Sequence, residues 1–410
     1  RQRQMCIRDS SGSNYTITYA SNSTSTISRA ALSVTGVSTS VTYTGLAQTN
    51  DVAAVNGMQG SDSFTISGYG TGTNYSATAY ADNLLATPAS GTLASNYNIS
   101  YTNGGLSIGK AELLVTADNK TRVYGNANPT LTYTVTGFVN SETSSVISGA
   151  PTIATSAALT SHVGNVAITA AANNLTASNY SFTYANGTMA ITQAPLTVTG
   201  ANTSVTYSGV SQTNSAATVA GLKNSDSFTI TGYGTGTNYS ANAYADNLVA
   251  TQDSGTLASN YSITYTNGGL SIAKANATVT ANSSSVTYTG LAQSVSGFTA
   301  SGLVNSQTVS VLSGVTASGA TGTNAGTYTN TVSGTDTNYN LTLVSGSLVI
   351  GKANATVTAN SASVTYTGVN QSVTGYTATG LVNSQTISVL SGVSASGATA
   401  KNAGTYTNTA

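Results

Sequence analysis

The chain has 410 residues, of which only 5% are charged, balanced at 11 basic and 11 acidic side chains with one histidine and one cysteine. Nucleic-acid or acidic-membrane binding needs clustered Lys and Arg, and a disulfide framework needs paired cysteines, so this composition excludes all three. No apolar run reaches the length of a membrane span, so no membrane insertion is expected from this sequence.

Abundant Ser, Gly and Asn would suit a disordered chain. Disorder, however, usually brings high net charge and few aromatic or β-branched residues. Here 24 tyrosines recur with Val, Ile and Thr in alternating runs, which argues for folded β-structure.

Residues 1–10, RQRQMCIRDS, hold three of the five arginines and the only cysteine, outside any alternation. They form a non-native-looking terminus, resembling translated adapter sequence or an ordinary unstructured end. Residues 11–30 are expected to be the terminal hairpin of a truncated repeat. The first complete repeat, 31–111, opens with an alternating strand, then a second short strand ending in Tyr43-Thr44-Gly45. There the tyrosine should face the core and the glycine take φ > 0. The repeat closes with NYNISYTNGGLSIGKA, Asn96 to Ala111, in which Tyr97, Ile99 and Tyr101 alternate with polar residues. Asn103-Gly104 is the dipeptide of a type I′ turn, so the motif predicts a β-hairpin with Leu106 and Ile108 on its return strand. Lys110-Ala111 then leads directly into a strand at Leu113 to Thr116, leaving no room for a flexible linker.

The second repeat, 112–194, differs: Tyr124-Gly125-Asn126 is followed by a turn at Asn128-Pro129 and an alternating run from Leu131 to Val135. The third, 195–275, matches the first without a gap at an offset of 164 residues. The fourth, 276–353, and the truncated fifth, 354–410, match each other at an offset of 78. Because the fifth stops inside a motif that the fourth completes, the natural chain is expected to continue at both ends. The closing anchors Arg29, Lys110, Gln193, Lys274 and Lys352 are 81, 83, 81 and 78 residues apart. That period exceeds the roughly 20 to 45 residues of a solenoid coil and suits a small domain in tandem. No helical apolar period of any length is present, although Gly302 to Gln307 and Gly380 to Gln385 could each form one helical turn. The expected fold class is therefore all-β. It is a tandem array of small antiparallel β domains, sandwich or β-grasp-like, folding independently and joined into an elongated rod.

Candidate chemistry is sparse. His162 lacks the partners that a triad or a zinc site requires and is expected in a surface loop. Gly105-Leu106-Ser107-Ile108-Gly109 matches a nucleophile elbow in letters, but it lies in a strand where that motif needs a strand-to-helix turn. Gly68, Gly70 and Gly72, echoed at Gly232, Gly234 and Gly236, have no helix start or basic residue beside them to cradle phosphate. Asp62, Asp82, Asp226 and Asp246 recur in two repeats and would make at best a weak calcium site. Lys110, Lys274 and Lys352, close to many Asn residues, invite comparison with lysine–asparagine crosslinks, but solvated boundary lysines are the plainer reading. No catalytic, cofactor-binding or metal-binding residue is expected, and no enzyme.

The Tyr-x-Gly openings, the closing NYxITYxxGxLxIxKA motifs and their tandem arrangement resemble the YDG repeats of bacterial surface adhesins, with Thr or Ser here in place of Asp. The second repeat, AELLVTADNKTRVYGNANPTLTYTVTGFVN at Ala111 to Asn140, is similar to the companion MBG domain of the YGX type. The resemblance covers about residues 31–410. It implies a large exported protein similar to filamentous haemagglutinins, extracellular at the bacterial cell surface, in which such repeats form a stalk that spaces an adhesive region from the cell. The alternative is that the repeats themselves bind host or matrix glycans weakly and multivalently through Tyr, Asn, Ser and Thr. Partners would then be host or matrix glycans or proteins, or neighbouring adhesin chains, with no nucleic acid.

Overall fold

A computed structural model describes residue 18 and residues 20–410 of the chain. The expectation for residues 1–10, and most of that for the hairpin at 11–30, lies outside the described residues. Residues 20–29 carry no strand. The chain divides into two compact units, one running to Thr192 and the other from Gln193 to Ala410.

In the first unit the first repeat contributes ten strands. They are β1 (Ala30–Gly36), β2 (Thr39–Thr42), β3 (Gln48–Thr49), β4 (Ala53–Asn56), β5 (Phe64–Ser67), β6 (Thr71–Gly72), β7 (Tyr80–Ala81), β8 (Leu85–Pro88), β9 (Tyr97–Thr102) and β10 (Gly105–Gly109). Their period-two alternation of apolar and hydroxylated residues puts Leu32 and Val34 inside and Ala31 and Thr35 outside. Two three-stranded sheets result, β4-β1-β9 and β2-β10-β7, with β3–β6 and β5–β8 as two-stranded ribbons. The second repeat follows the same plan with β11 (Ala111–Ala117), β12 (Lys120–Val123), β13 (Tyr133–Thr136), β14 (Thr152–Thr155), β15 (Gly164–Ala171), β16 (Tyr180–Ala185) and β17 (Gly187–Thr192). Its sheets are β13-β11-β16 and β12-β17-β15-β14. In the second unit the third and fourth repeats repeat this topology. The all-β array of small domains is thus observed. Among the described residues the helical turns are three residues long, and the β4-β1-β9 sheet packs against the β5–β8 ribbon.

The expected closing hairpin is corrected. β9 lies parallel to β1, with Ile99 opposite Leu32, while β10 lies parallel to β2 and antiparallel to β7. The two closing strands therefore do not pair with each other; Asn103-Gly104 carries the chain from one sheet to the other. Neither residue takes the positive φ that a type I′ turn needs. Gly104 is required for close approach instead, since a Cβ there would sit 2.6 Å from the Val37 carbonyl oxygen. Splitting the motif gives β9 and β10 each an opening strand as partner, the half-buried β1 and β2, which covers more apolar surface than a free hairpin could. The helical turns expected at 302–307 and 380–385 are also absent: Asn305, Ser306, Asn383 and Ser384 have φ of 52° to 55°, outside the right-handed region. Three-residue helical turns follow at Val309–Val311 and Ile387–Val389.

Independent folding of the repeats is corrected as well. Tyr43, Leu106, Ile108 and Ala111 of the first repeat share one apolar cluster with Leu113 and Tyr180 of the second. Tyr207, Leu270 and Ile272 of the third do the same with Ala277, Val279, Leu312 and Tyr339 of the fourth. The physical reason is that β10 and β11 are separated by Lys110 alone, so the last strand of one repeat runs straight into the first strand of the next. A domain of about 80 residues buries only roughly 60 to 65% of its unfolded surface by itself, and the shared cluster adds to that.

Candidate functional site

The recurring constructed feature is the joint between consecutive repeats inside each unit. Its first element is the Tyr-x-Gly triplet. Tyr43 and Tyr207 are buried at 4% and 6% exposure, as expected for the core-facing tyrosine, but the core they enter belongs partly to the following repeat. Gly45, Gly209 and Gly290 have φ of 76°, 76° and 79°. This left-handed turn brings their carbonyls against the next repeat.

The second element is the Asn-Ser turn of that next repeat. Asn140 Nδ2 donates to the Gly45 carbonyl at 3.0 Å, Asn305 Nδ2 to Gly209 at 3.4 Å and Asn383 Nδ2 to Gly290 at 3.0 Å. Asn140 and Ser141 sit at φ 50° and 61°, a conformation that short polar side chains tolerate best among non-glycine residues. One residue after the turn comes the latch. The Tyr43 hydroxyl donates to Glu142 Oε1 at 2.7 Å, and the Tyr180 hydroxyl donates to Glu142 Oε2. In the second unit Gln307 Nε2 donates to the Tyr207 hydroxyl at 2.9 Å, while Gln307 Oε1 accepts from the Tyr339 hydroxyl at 2.6 Å. Gln385 Nε2 holds the Tyr288 hydroxyl at 2.6 Å. The paired rings meet edge to face, Tyr43 with Tyr180 at 5.5 Å and Tyr207 with Tyr339 at 5.4 Å.

A further arm lies beside the first. Asn179 Oδ1 accepts from the Tyr75 amide at 3.0 Å and its Nδ2 donates to Asn74 Oδ1 at 3.0 Å; Asn338 repeats both contacts with Tyr239 and Asn238. The Lys110 ammonium donates to the Ala177 carbonyl at 3.0 Å and lies 5.1 Å above the Tyr75 ring. Lys274 does the same with the Asp336 carbonyl at 2.7 Å and the Tyr239 ring at 5.1 Å. Lys110 and Lys274, read as simply solvated, are therefore clamps, and their ammonium groups sit on backbone carbonyls, not on asparagine side chains, whereas Lys352 is exposed.

The electrostatics follow from these contacts. The Tyr180 and Tyr43 hydroxyls hold the Glu142 carboxyl below the usual range. Burial and the hydrogen bond to Glu142 push Tyr180 up to about 12, and Tyr43 is raised chiefly by its own bond to Glu142. The joint thus consists of neutral phenols that donate to an ionised carboxylate, or that exchange hydrogen bonds with a glutamine amide, Tyr339 donating and Tyr207 and Tyr288 accepting.

The aspartates considered for calcium are internal staples. Asp82, 3% exposed, accepts from Asn50 Nδ2 at 3.1 Å, from the Gly70 amide at 2.8 Å and from the Gly104 amide at 3.1 Å. Asp246 does the same with Asn214, Gly234 and Gly268. The glycine-rich loop therefore presents its Gly70 and Gly234 amides to a carboxylate of its own repeat. Gly72 admits the Tyr80 ring, where a Cβ would lie 2.3 Å from it. Asp62 accepts from the Tyr97 hydroxyl at 2.7 Å, and Asp226 from Tyr261 at 2.6 Å. Among the described residues no group of three or more His, Cys, Asp or Glu side chains gathers as a metal site would require. His162 is an exposed loop residue, and Ser107 an exposed residue of β10 with no helix after it. Reading the sequence missed the Asn-Ser-Glu/Gln latch. Its signal was present as Asn140-Ser141-Glu142, Asn305-Ser306-Gln307 and Asn383-Ser384-Gln385, each just under 100 residues after a Tyr-x-Gly.

Residues 113–190 and 277–349 match the family described as MBG domain (YGX type). The first match coincides with the repeat expected to be of that type; the second falls on the fourth repeat, expected to be YDG-like. No curated protein matches the chain. Among solved structures, the I9-I11 tandem of titin is matched at 9% identity over 59% of this chain and 100% of that chain, with a TM-score of 0.19. At that score the likeness carries no argument.

Proposed function

We propose that this chain is a structural segment of an exported bacterial surface protein, a run of interlocked repeats that spaces an adhesive region from the cell. The observation that carries the reading is the joint: the same tyrosine, glycine and Asn-Ser turn recur at each internal boundary of both units, and the conserved geometry serves repeat-to-repeat attachment. The match of two regions to the MBG domain supports a repeat segment. The family resemblance of the Tyr-x-Gly openings adds the surface location. Load-bearing spacing requires mechanical resistance, so single-molecule pulling of the whole chain is the test. Resistance to extension, released in discrete steps in which repeats sharing a cluster yield together, is expected. Extension without resistance overturns the proposal.

The multivalent glycan reading finds less support. The ring faces it would use at Tyr75 and Tyr239 lie under Lys110 and Lys274, and the Tyr80 and Tyr244 hydroxyls donate to the carbonyls of Asn74 and Asn238. Saturable binding of the whole chain to a glycan array would reverse that preference.

A further inference from the structure

We propose that each of the first four repeats resists tension through a parallel zipper between the segment by which the chain enters the repeat and the segment by which it leaves. The inference rests on the spacer reading, because such a device matters only in a chain that is pulled. In the first repeat β1 lies parallel to β9 and β2 parallel to β10, with Ala30 opposite Tyr97 and Thr42 opposite Gly109, so the partner is 67 residues on at both ends. One register therefore runs through both sheets, and residues 30–42 travel beside 97–109. The second repeat sets 111–123 beside 180–192 at a spacing of 69. The third sets 194–206 beside 261–273 at 67, and the fourth 275–287 beside 339–351 at 64. The intervening chain changes length, yet the overlap stays at thirteen residues. Its far end is tied alike each time. The Tyr43 amide donates to the Gly109 carbonyl at 2.9 Å, Tyr124 to Thr192 at 2.9 Å, Tyr207 to Ala273 at 2.8 Å and Tyr288 to Gly351 at 2.8 Å.

Parallel alignment decides how tension is met. The chain enters β1 at Ala30, at one end of the overlap, and leaves β10 at Gly109, at the other. Pulling these ends apart draws the two segments past each other along their length, so the evenly spaced bonds of the parallel ladder are strained together. Antiparallel segments would put entry and exit at the same end, and their bonds would open one after another. Sliding by one residue, about 3.3 Å, also turns every inward side chain outward. In the first repeat those side chains are Leu32, Val34, Leu106 and Ile108, each 0% or 1% exposed, and in the second Leu113, Val115, Met189 and Ile191. The neighbouring register is therefore no resting place, and the zipper must yield as a whole. Antiparallel ribbons such as β5–β8 lie between entry and exit in sequence and carry no tension until it does. From β10 the pull crosses Lys110 straight into β11, which opens the next zipper.

Single-molecule pulling of the whole chain through cysteine handles, with Cys6 replaced by Ser, tests this. Arg29→Cys with Ser107→Cys places the handles toward opposite ends of the overlap, and Arg29→Cys with Ser95→Cys places both at its entry end; all three positions are exposed. At one loading rate the first pair should yield at a force at least about twofold above the second. A backbone arm reads the same ladder. Because the Tyr43 amide faces β10, strand alternation turns the Val41 amide the same way and the Ser40 amide to the outer edge of β2. Val41→Pro should therefore lower the force on the Arg29–Ser107 pair, and Ser40→Pro should leave it nearly unchanged. Equal forces from the two handle pairs in a chain that still resists extension, or equal losses from the two prolines, overturn the zipper and leave the spacer reading standing. Extension without resistance from the Arg29–Ser107 pair overturns both.

Discussion

Two glycines of the same motif separate the joint from its local backbone. Gly45 and Gly368 both follow Tyr-Thr, with φ of 76° and 82°, but a Cβ on Gly45 would lie 2.5 Å from Asn140 Cβ whereas Gly368 has nothing within 4 Å. A left-handed non-glycine residue costs about 1–2 kcal/mol, and forcing the neighbouring turn aside costs about as much again. Gly45→Ala should therefore lose roughly 2–4 kcal/mol and Gly368→Ala only about 1–2 kcal/mol in chemical denaturation. Equal losses would show that the glycine serves its own turn and not the joint. Asp82 makes a second residue-scale case. Its removal leaves the Gly70 and Gly104 amides and Asn50 Nδ2 without their acceptor in a buried site, so Asp82→Ala should destabilise by roughly 2–4 kcal/mol. The fourth repeat places Asn330, 0% exposed, at the equivalent position, and Asp82→Asn should accordingly cost less than the alanine.

At the scale of elements, the passage from β10 to β11 governs coupling. Leu106 and Ile108 on one strand and Ala111, Leu113 and Val115 on the next are all buried, so the inward parity changes across Gly109-Lys110 while the chain stays extended. Inserting Gly-Ser-Gly after Lys110 would free the two sheets from each other. The Ala111 amide should then lose the protection given by its bond to the Asn179 carbonyl, now 3.0 Å. Exposure of two or more large side chains from the shared cluster would remove roughly 1.5–3 kcal/mol each, read from hydrogen exchange across residues 106–115. Unchanged protection would mean that the repeats hold together without the short connection. The strands on either side of Lys110 were legible, because period-two alternation reports burial directly, and the positive φ of Gly45 followed from its residue type. The pairing was not. Asn103-Gly104 carries the local signature of a hairpin, and only the distant strands β1 and β2 make the split arrangement more favourable. For the same reason the latch was hidden: Tyr43 and Glu142 lie 99 residues apart, and nothing local in either marks the other as partner.

Across the whole chain the described joints share a plan but differ in chemistry, and the difference is testable through acid. Glu142 closes one joint with a carboxylate; Gln307 and Gln385 close two others with amides. Because hydrogen bonds from Tyr180 and Tyr43 lower the carboxyl of Glu142 in the folded state, its contribution is complete above the unfolded carboxylate value and is lost as pH falls through the folded one. Tyr180 has the opposite sign. Raised to about 12 by burial and by Glu142, it contributes fully below the ordinary tyrosine value near 10 and is lost as pH climbs toward its folded one. The Glu142 joint is thus strongest across the neutral range and weakens at both ends. Glu142→Gln can reproduce the Gln307 geometry, accepting from Tyr180 and donating to Tyr43, so at pH 7 it should change stability by no more than about 1 kcal/mol. Between about pH 5 and pH 3 the variant should lose less stability than the parent chain, in thermal unfolding and in exchange of the Val139 amide, which bonds the Tyr180 hydroxyl. Asp118 and Asp253, also lowered by hydrogen bonds from neighbouring hydroxyl side chains, are common to both proteins and cancel in the comparison. Parallel acid profiles for the two chains would remove Glu142 as the pH-sensitive latch and leave the shared apolar cluster, with the Asn140, Asn179 and Lys110 contacts, as what joins the first two repeats.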